Sequence, residues 1–312
     1  MRKLLVSIVL IALFYAGFIL IAPKFFGFPE TRRAVNPIPE SAQITYETVH
    51  FPSTQHPIQL TGWWMPAENA RGVIILVHGF RGQREIPRFG GVAFARQLIG
   101  AGYSVLSFDL RNHGDSDASP DGELVIADLP RDLGGALDWV AAKQPDLPVG
   151  VIGLSLGGDV VIRTAAHDSR IAAIVTVDGA FEPVAASFNF MVRESGIPAP
   201  LARQLVWSMQ YVHRIWPDES ALDIGKRLDG RKLLLIHNEA DPVSPASGAR
   251  KLKAALPDAE LWITPPPPAD HPLMRDAGRQ GSHVLSYLLY PEAFVEKVLN
   301  FFDQRLAYTA HS

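Results

Sequence analysis

The chain has 312 residues, of which 47% are hydrophobic, and a formal net charge of −3 at pH 7. This length suits one folded domain of about 270 residues plus a short extra element, and the charge balance gives no reason to expect nucleic-acid binding. The chain contains no cysteine, which excludes disulfides, thiolate metal sites and a cysteine nucleophile. We find no metal-ligand spacing, and we expect neither a metal nor another cofactor.

The N-terminus is the most apolar part of the chain. Residues 4–22 contain no charged side chain, and as a helix they would be about 28 Å long, close to the thickness of a bilayer core. We therefore predict a membrane anchor at residues 1–22. The alternative is a cleaved signal peptide and a secreted protein, but the apolar run exceeds the usual length of about 7–15 residues and no small-x-small site follows it.

Basic residues lie on both sides of this segment, with Arg2 and Lys3 before it and Lys24, Arg32 and Arg33 after it. A short basic tail before a first apolar segment favours a cytoplasmic N-terminus. We therefore expect a single-pass anchor with the folded domain outside the cytoplasm. Residues 23–42 are rich in proline and polar groups and predict a linker, and residues 43–308 would form the folded domain.

Eight strands are predicted in that domain. Residues 44–51 and 58–65 alternate between apolar and polar side chains, which is typical of an antiparallel hairpin. Continuous apolar runs, typical of parallel strands buried on both faces, follow near residues 73–78, 103–109, 149–154, 171–178, 232–237 and 260–264. Helical patterns such as 127–142 and 156–166 separate them. The pattern predicts an α/β fold with a mostly parallel eight-stranded sheet covered by helices on both faces.

The fifth predicted strand ends in the sequence Gly153-Leu154-Ser155-Leu156-Gly157. The two glycines lack the Cβ atoms that would clash in a sharp strand-to-helix turn, and such a turn lifts the Ser155 hydroxyl out of the sheet. The N–H of Leu156 begins the next helix and would point to where an oxyanion forms. By itself this motif is a weak signal, because a glycine-rich turn can carry an incidental serine.

Two further motifs precede this turn in the chain. His78-Gly79-Phe80 follows the third strand, and a turn of this type presents a backbone N–H, here that of Phe80, as a second oxyanion donor. Asp109-Leu110-Arg111-Asn112-His113-Gly114 follows the fourth strand. In this order the three motifs resemble the α/β-hydrolase superfamily, and most closely its esterase- and lipase-like serine hydrolases. The resemblance covers residues 44–308 and implies a catalytic triad in the order serine, acid, histidine.

Other polar side chains in these motifs have structural interpretations. His78 directly follows a buried strand, and we expect it to brace the loop, because a polar group at a buried turn needs hydrogen-bond partners. Asp109, Arg111, His113 and Asp115 are expected to satisfy one another's charges and to hold the strand ends near the site.

The acid implied by the resemblance should follow a later strand, and Asp241 follows the strand at 232–237. Its role would be to accept the Nδ1 proton of the histidine and to stabilise the imidazolium. The alternative interpretation is an N-cap for a helix that begins near residues 244–246.

Two histidines follow the last strand and compete for the role of the base. The interval in sequence between Asp241 and His271 is the more usual one between the acid and the base. His283, however, precedes Tyr290-Pro291-Glu292 and an apolar final helix, which resembles the closing pattern of the superfamily. We therefore favour His283 and interpret residues 265–280 as an inserted loop.

Residues 181–230 separate two predicted strands and are rich in aromatic side chains. We predict a small helical cap whose apolar side chains line an acyl pocket.

The resemblance implies a serine hydrolase that cleaves ester or thioester bonds of small-molecule or lipidic acyl substrates, such as acylglycerols, through an acyl-enzyme. A peptidase or amidase of the same fold and a non-catalytic membrane-anchored binding protein are the alternatives.

Overall fold

The computed structural model describes residues 2–26, 34–54, 57–120, 122, 124–193, 195–216, 219–228, 230–268 and 270–306. Within these ranges, a sheet of eight strands forms the centre of the molecule. The strands are β1 (Glu47–Pro52), β2 (Gln59–Met65), β3 (Gly72–Val77), β4 (Tyr103–Phe108), β5 (Val149–Leu154), β6 (Ile171–Val177), β7 (Lys232–Asn238) and β8 (Glu260–Thr264).

The strand order is β1-β2-β4-β3-β5-β6-β7-β8. β2 pairs antiparallel with both β1 and β4, and the remaining neighbours are parallel. The burial patterns follow this arrangement: β1 at the edge is partly exposed, whereas β3 and β5 are buried at every position. The sequence pattern predicted this difference, because a parallel strand covered on both faces has no solvent-facing side.

The described helices are α1 (Arg2–Phe26), α2 (Gly91–Gly100), α3 (Leu129–Lys143), α4 (Leu156–Ala165), α5 (Pro183–Arg193), α6 (Ala199–Tyr211), α7 (Ala221–Gly225), α8 (Ala246–Ala255), α9 (Pro272–Asp276), α10 (Ser286–Leu289) and α11 (Pro291–Arg305).

The sheet has a hydrophobic cluster on each face. Successive side chains of a strand point to opposite faces, and Ile75 and Ile74 of β3 accordingly belong to two separate hydrophobic clusters. One cluster includes side chains of α3, α4 and α8, and the other includes side chains of α2 and α11. The prediction of a mostly parallel sheet of eight strands covered on both faces is confirmed.

The apolar N-terminal segment forms most of α1. Its residues Lys3–Ile21 are long and apolar enough, by length and composition, to cross a membrane, and none of that stretch is buried. Of the segment predicted as a linker, residues 27–33 lie outside the described residues, and they include Arg32 and Arg33, on which the predicted orientation partly depends. Residues Glu40–Ala42 form a short 3-10 turn.

Between β6 and β7 the chain forms three α-helices, α5, α6 and α7. They occupy the segment predicted as a helical cap, in which residues 194, 217, 218 and 229 lie outside the described part of the chain. Apolar side chains of α6, including Leu205 and Met209, join the cluster that also contains side chains of α3 and α4. These side chains therefore pack on the same face of the sheet as α4, the helix that follows Ser155. We use the word cap below as a name for the described residues of 181–230.

Candidate active site

Ser155 lies in the turn between β5 and α4, with φ 52° and ψ −117°. A positive φ is strained for any residue except glycine, so neighbouring structure must hold it in place. The N–H of Ser155 donates to Val177 O at 2.9 Å, and its carbonyl accepts from Ala180 N–H at 3.0 Å and from Gly158 N–H at 2.9 Å. The end of β6 and the start of α4 thus fix the conformation of the turn.

The glycines on either side of Ser155 allow this turn to pack closely. A Cβ on Gly153 would lie 2.3 Å from Gly157 O, and a Cβ on Gly157 would lie 2.3 Å from Val77 O. Both positions therefore require glycine because backbone atoms approach too closely for any side chain.

The structure brings the three candidate triad residues together. Nε2 of His283 lies 2.9 Å from Ser155 Oγ, and Nδ1 of His283 lies 2.7 Å from Asp241 Oδ2. Because an ionised carboxylate only accepts hydrogen bonds, Nδ1 carries the proton and Nε2 is left to accept from the serine hydroxyl. His283 is 5% exposed and Asp241 is 8% exposed. This is the geometry of a nucleophile, a base and an orienting acid.

Asp241 lies in the turn after β7, three residues beyond Asn238. Its Oδ1 accepts from Val243 N–H at 2.7 Å and from Ser244 N–H at 3.0 Å, which leaves Oδ2 to face His283. Helix α8 begins at Ala246 with Pro245 in the N-cap position. The alternative interpretation of Asp241 as the N-cap of this helix does not apply.

The competing histidine has a different contact. Nδ1 of His271 accepts from Leu273 N–H at 3.2 Å, and this residue caps the short helix α9. The segment predicted as an inserted loop contains α9 and the 3-10 turn Gly278–Gln280.

The loop that carries His283 is held on both sides. The guanidinium of Arg88 donates to the carbonyls of His283, Ala277 and Gly281, at 3.0, 3.1 and 2.7 Å. Ser282 Oγ donates to Asn238 Oδ1 at 2.7 Å. These contacts fix the backbone of the loop that carries the imidazole of His283.

The sequence motifs did not indicate Asp178, whose side chain links the end of β7 to the loop that carries His283. It directly follows β6, is fully buried and has φ 50°. Its Oδ1 accepts from Asn238 N–H and its Oδ2 accepts from Val284 N–H, both at 2.7 Å. Burial, and then the nearby Asp241 carboxylate, raise the pKa of Asp178. The sequence signal was an aspartate and a glycine directly after a buried strand, at the edge of the sheet that also carries Ser155.

The charges around His283 set its proton affinity. Burial by itself lowers the pKa of His283, but the charge and hydrogen bond of Asp241 and the charge of Asp178 outweigh this effect. The pKa of His283 is therefore raised above its ordinary value of 6.5. A carboxylate beside the imidazole favours the protonated form, which is the form that appears when a triad serine gives up its proton and attacks a carbonyl carbon.

Asp178, His237 and Asp241 also place potential metal-ligand atoms within 4.8 Å of one another. Each carboxylate oxygen of the two aspartates accepts a hydrogen bond within the protein, and Nε2 of His237 donates to Ser244 O at 2.8 Å. These atoms therefore serve a hydrogen-bond network that supports His283.

His78 braces the turn that carries Phe80. Its Nε2 accepts from Leu110 N–H at 3.0 Å, and its Nδ1 donates to Gly79 O at 2.7 Å. Burial lowers the pKa of His78 to about 4, so the ring is neutral at pH 7.

The expectation that the charged loop after β4 satisfies its own charges is wrong. Asp109 pairs with Arg84, which lies in the loop after β3, and Arg111 pairs with Asp132 of α3 at 2.7 Å. Asp115 also contacts Arg84, at 2.6 Å. Buried charges need close partners, and the fold supplies these partners from segments outside the loop.

Two cavities meet at Ser155. The first, of about 90 Å³, is lined by Ser155, His283 and the two candidate oxyanion donors, Phe80 and Leu156, and by apolar cap side chains: Phe190, Met191, Met209 and Trp216. The second, of about 410 Å³, lies between the turn after β3 and the His283 loop, and its lining includes the polar side chains Arg81, Gln83, Arg88 and Gln280. The serine hydroxyl thus stands between an apolar and a polar space.

Comparison with known proteins agrees with this architecture. A family model described as the alpha/beta hydrolase fold matches residues 72–210. The chain is similar to the quorum-quenching protein AidA of Acinetobacter baumannii (strain MDR-ZJ06), with 35% identity over 111 residues. That match covers 35% of this chain and 36% of AidA, so the chain spans about a third of the length of this relative.

Two longer matches cover most of the folded domain. A monoacylglycerol lipase of Mycolicibacterium smegmatis is 25% identical over 244 residues, which are 65% of this chain and 82% of that protein. The solved structure of the Pyrococcus furiosus esterase Pf2001 superposes with a TM-score of 0.68 and 22% identity, over 88% of this chain and 98% of the esterase chain. The protein has the α/β-hydrolase fold.

Proposed function

We propose that the protein is a serine hydrolase that cleaves carboxylic ester or thioester bonds, of the acylglycerol type, through an acyl-enzyme. The observation that carries this proposal is the continuous hydrogen-bonded chain from Ser155 through His283 to Asp241. The names of the relatives, among them monoacylglycerol lipase and thiohydrolase, support the same class of substrate.

In this proposal each group has a role. Ser155 Oγ attacks the carbonyl carbon while His283 Nε2 accepts its proton, and Asp241 stabilises the imidazolium that forms. The N–H groups of Phe80 and Leu156 bind the oxyanion, and each such donor contributes roughly 3 kcal/mol to transition-state stabilisation. His283 then protonates the leaving alcohol or thiol. Water, deprotonated by the same imidazole, cleaves the acyl-enzyme and restores the serine.

The two cavities suggest how the substrate lies. The apolar cavity lined by cap side chains takes the acyl group, and the polar cavity on the other side of Ser155 takes the leaving group. An apolar wall with few polar groups is typical of a site that binds hydrocarbon.

We further infer the organisation and location of the chain. Residues 1–22 serve as a single-pass anchor that binds the membrane through residues 4–22, residues 23–42 form a linker, and residues 43–308 form a hydrolase domain outside the cytoplasm, with its cap at 181–230. The apolar helix Lys3–Ile21 supports this arrangement. The alternative is a signal peptide whose removal releases a secreted enzyme.

A fluorophosphonate probe tests the central proposal. The probe reacts with activated serines, so it is expected to label the wild-type protein and not the Ser155→Ala variant. Hydrolysis of p-nitrophenyl butyrate should disappear in the same variant. An unlabelled wild-type protein would instead favour a non-catalytic binding protein, and faster cleavage of a matched p-nitroanilide would favour an amidase.

The pH dependence of kcat/KM should report the pKa of the base, His283. Neutral His283 is the active form, so kcat/KM is expected to rise with pH and to reach half its plateau above pH 6.5, the ordinary pKa of histidine. Asp241→Asn removes the main group that raises this pKa and should move the midpoint to lower pH. Rates of p-nitrophenyl butyrate hydrolysis from about pH 5 to pH 9 measure both midpoints. A flat profile for the wild type would contradict a histidine base.

A further inference from the structure

Large exposed hydrophobic side chains concentrate in one place outside α1. Among the described residues beyond that helix, they are Val184 of α5, Trp207 and Tyr211 of α6, and Val212 directly after α6. We call these four residues the cap patch. Trp207 is 54% exposed and Tyr211 is 63% exposed, and their ring centroids lie 5.8 Å apart. A cluster of this kind on a folded domain marks a contact surface.

The cap patch lies beside the apolar N-terminal helix. Ser208 Oγ of α6 donates to Ile19 O at 2.7 Å, and Nε2 of His213 donates to Leu20 O at 2.9 Å. The Tyr15 hydroxyl contacts Gln204, also on α6. These contacts join α6 to the last part of the apolar run, over a length of roughly 8 Å from Tyr15 to Leu20. The apolar run ends at Ala22, so at about 1.5 Å per residue these contacts lie roughly 3 to 10 Å from its outer end. An interfacial helix that buries its apolar face lies about 5–10 Å deep, so α6 lies at the depth expected of a helix at the bilayer surface.

A groove extends from the cap patch towards the site. It has a volume of about 600 Å³ and runs between α5 and α6, and Val184 and Trp207 of the patch line it. Most of the other lining side chains are apolar, among them Phe181, Phe188 and Val206. Pro183 and Trp216 line both this groove and the apolar cavity at Ser155. Trp216 therefore separates a groove that opens at the patch from the cavity that contains the reactive hydroxyl.

We propose that the cap patch rests in the surface of the lipid bilayer beside α1, and that a lipidic acyl chain passes from the bilayer through the groove, past Trp216, to Ser155. Tryptophan and tyrosine prefer the membrane–water interface, where the ring is in an apolar region and its polar atom is hydrated. Arg203 lines the groove and lies over the Phe188 ring, and its long stem allows the guanidinium to reach lipid head groups. The inference rests on the proposed hydrolase function and on the proposed anchor.

Spin labels at single cysteines test where the patch lies, because the natural chain contains no cysteine. The full chain is reconstituted in phosphatidylcholine vesicles with a nitroxide at Tyr211→Cys or, as control, at Ala141→Cys on the exposed surface of α3. At position 211 the label should be relaxed more by oxygen than by a water-soluble nickel chelate, and at position 141 the order should be reversed. Preference for the nickel chelate at both positions would overturn the proposal. Dipolar broadening between labels at 211 would also overturn it, because a second copy of the chain would then cover the patch.

Kinetics test the route. In vesicles that contain a long-chain monoacylglycerol, Tyr211→Gln/Val212→Gln is expected to lower kcat/KM by about tenfold, since two apolar anchors are lost from the interface. The same variant should hydrolyse soluble p-nitrophenyl acetate like the wild type, and Ala141→Gln should change neither reaction. Val184→Trp keeps the patch apolar but narrows the groove, so the ratio of long-chain to short-chain kcat/KM should fall.

The outcomes distinguish a failure of the proposed hydrolase function from a failure of the proposed lipid route. If wild-type protein fails to hydrolyse any soluble ester, the proposed function itself is wrong. If soluble esters are hydrolysed but the patch and groove variants process the vesicle substrate like the wild type, only the lipid route is wrong.

Discussion

Replacing His283 by alanine is expected to lower kcat/KM by about 10³-fold or more, because the serine then has no base and the leaving group has no acid. His283 is the histidine whose Nε2 lies 2.9 Å from Ser155 Oγ. The measurement is the initial rate of p-nitrophenyl butyrate hydrolysis, with circular dichroism to verify that the variant is folded.

His271→Ala is the matched control for this prediction. His271 caps the short helix α9 through Leu273 N–H, so its loss should cost about 1 kcal/mol of stability at most and leave the rate within about twofold of the wild type. A larger loss of activity in His271→Ala than in His283→Ala would show that the site uses the other ring.

Asp241→Asn is expected to lower kcat by about 10³- to 10⁴-fold, since an amide at this position favours the wrong tautomer of the imidazole. The carboxylate has one oxygen for His283 and one for two backbone N–H groups. Asparagine keeps the size of the side chain but has only one oxygen acceptor, so it cannot serve both partners. Single-turnover rates with a p-nitrophenyl ester separate this loss from a change in substrate binding.

Asp178→Asn provides the comparison within the same network. Asp178 does not contact Ser155; it accepts from Asn238 N–H and Val284 N–H and so positions the loop of His283. Its replacement is expected to cost up to about 10²-fold, the effect of a small displacement of the base. The midpoint of the pH profile should also move down, because the charge of Asp178 contributes to the raised pKa of His283. A loss of activity in Asp178→Asn without a shift of the midpoint would mean that Asp178 acts only through stability.

The turn at Ser155 could be predicted from the local sequence. The spacing of Gly153, Ser155 and Gly157 predicts a strand, a sharp turn and a helix, and the structure has β5, a strained turn and α4 in that order. Part of this agreement has a local cause, because the close contact that requires Gly153 lies within the turn itself. The contact that requires Gly157 is with Val77 O at the end of β3, which is distant in sequence.

The local sequence was not sufficient to identify which histidine is the base. Both histidines lie after the last strand in polar surroundings, and the preference for His283 came from a resemblance and not from its chemistry. The structure brings His283 to a serine 128 residues away, while His271 caps a helix next to it.

The buried charges illustrate the same limit. The sequence suggested that Asp109 and Arg111 pair within their own loop, but they pair with Arg84 and Asp132 from other segments. Asp178 was not singled out because its two partners, Asn238 and Val284, come from distant parts of the chain. Each of these pairings needs the sheet to be assembled first.

The sequence by itself determined the order and type of the strands, the position of the serine turn and the apolar length of the N-terminal helix. These features depend on periodicity, on glycine spacing and on composition, which act between near neighbours in the chain. Only the tertiary structure decided which histidine faces Ser155, which groups hold that histidine, and that α6 lies against α1 with a groove leading to Trp216. These are contacts between residues far apart in sequence, and they arise only when parallel strands place their carboxyl ends at one edge and the cap packs over it.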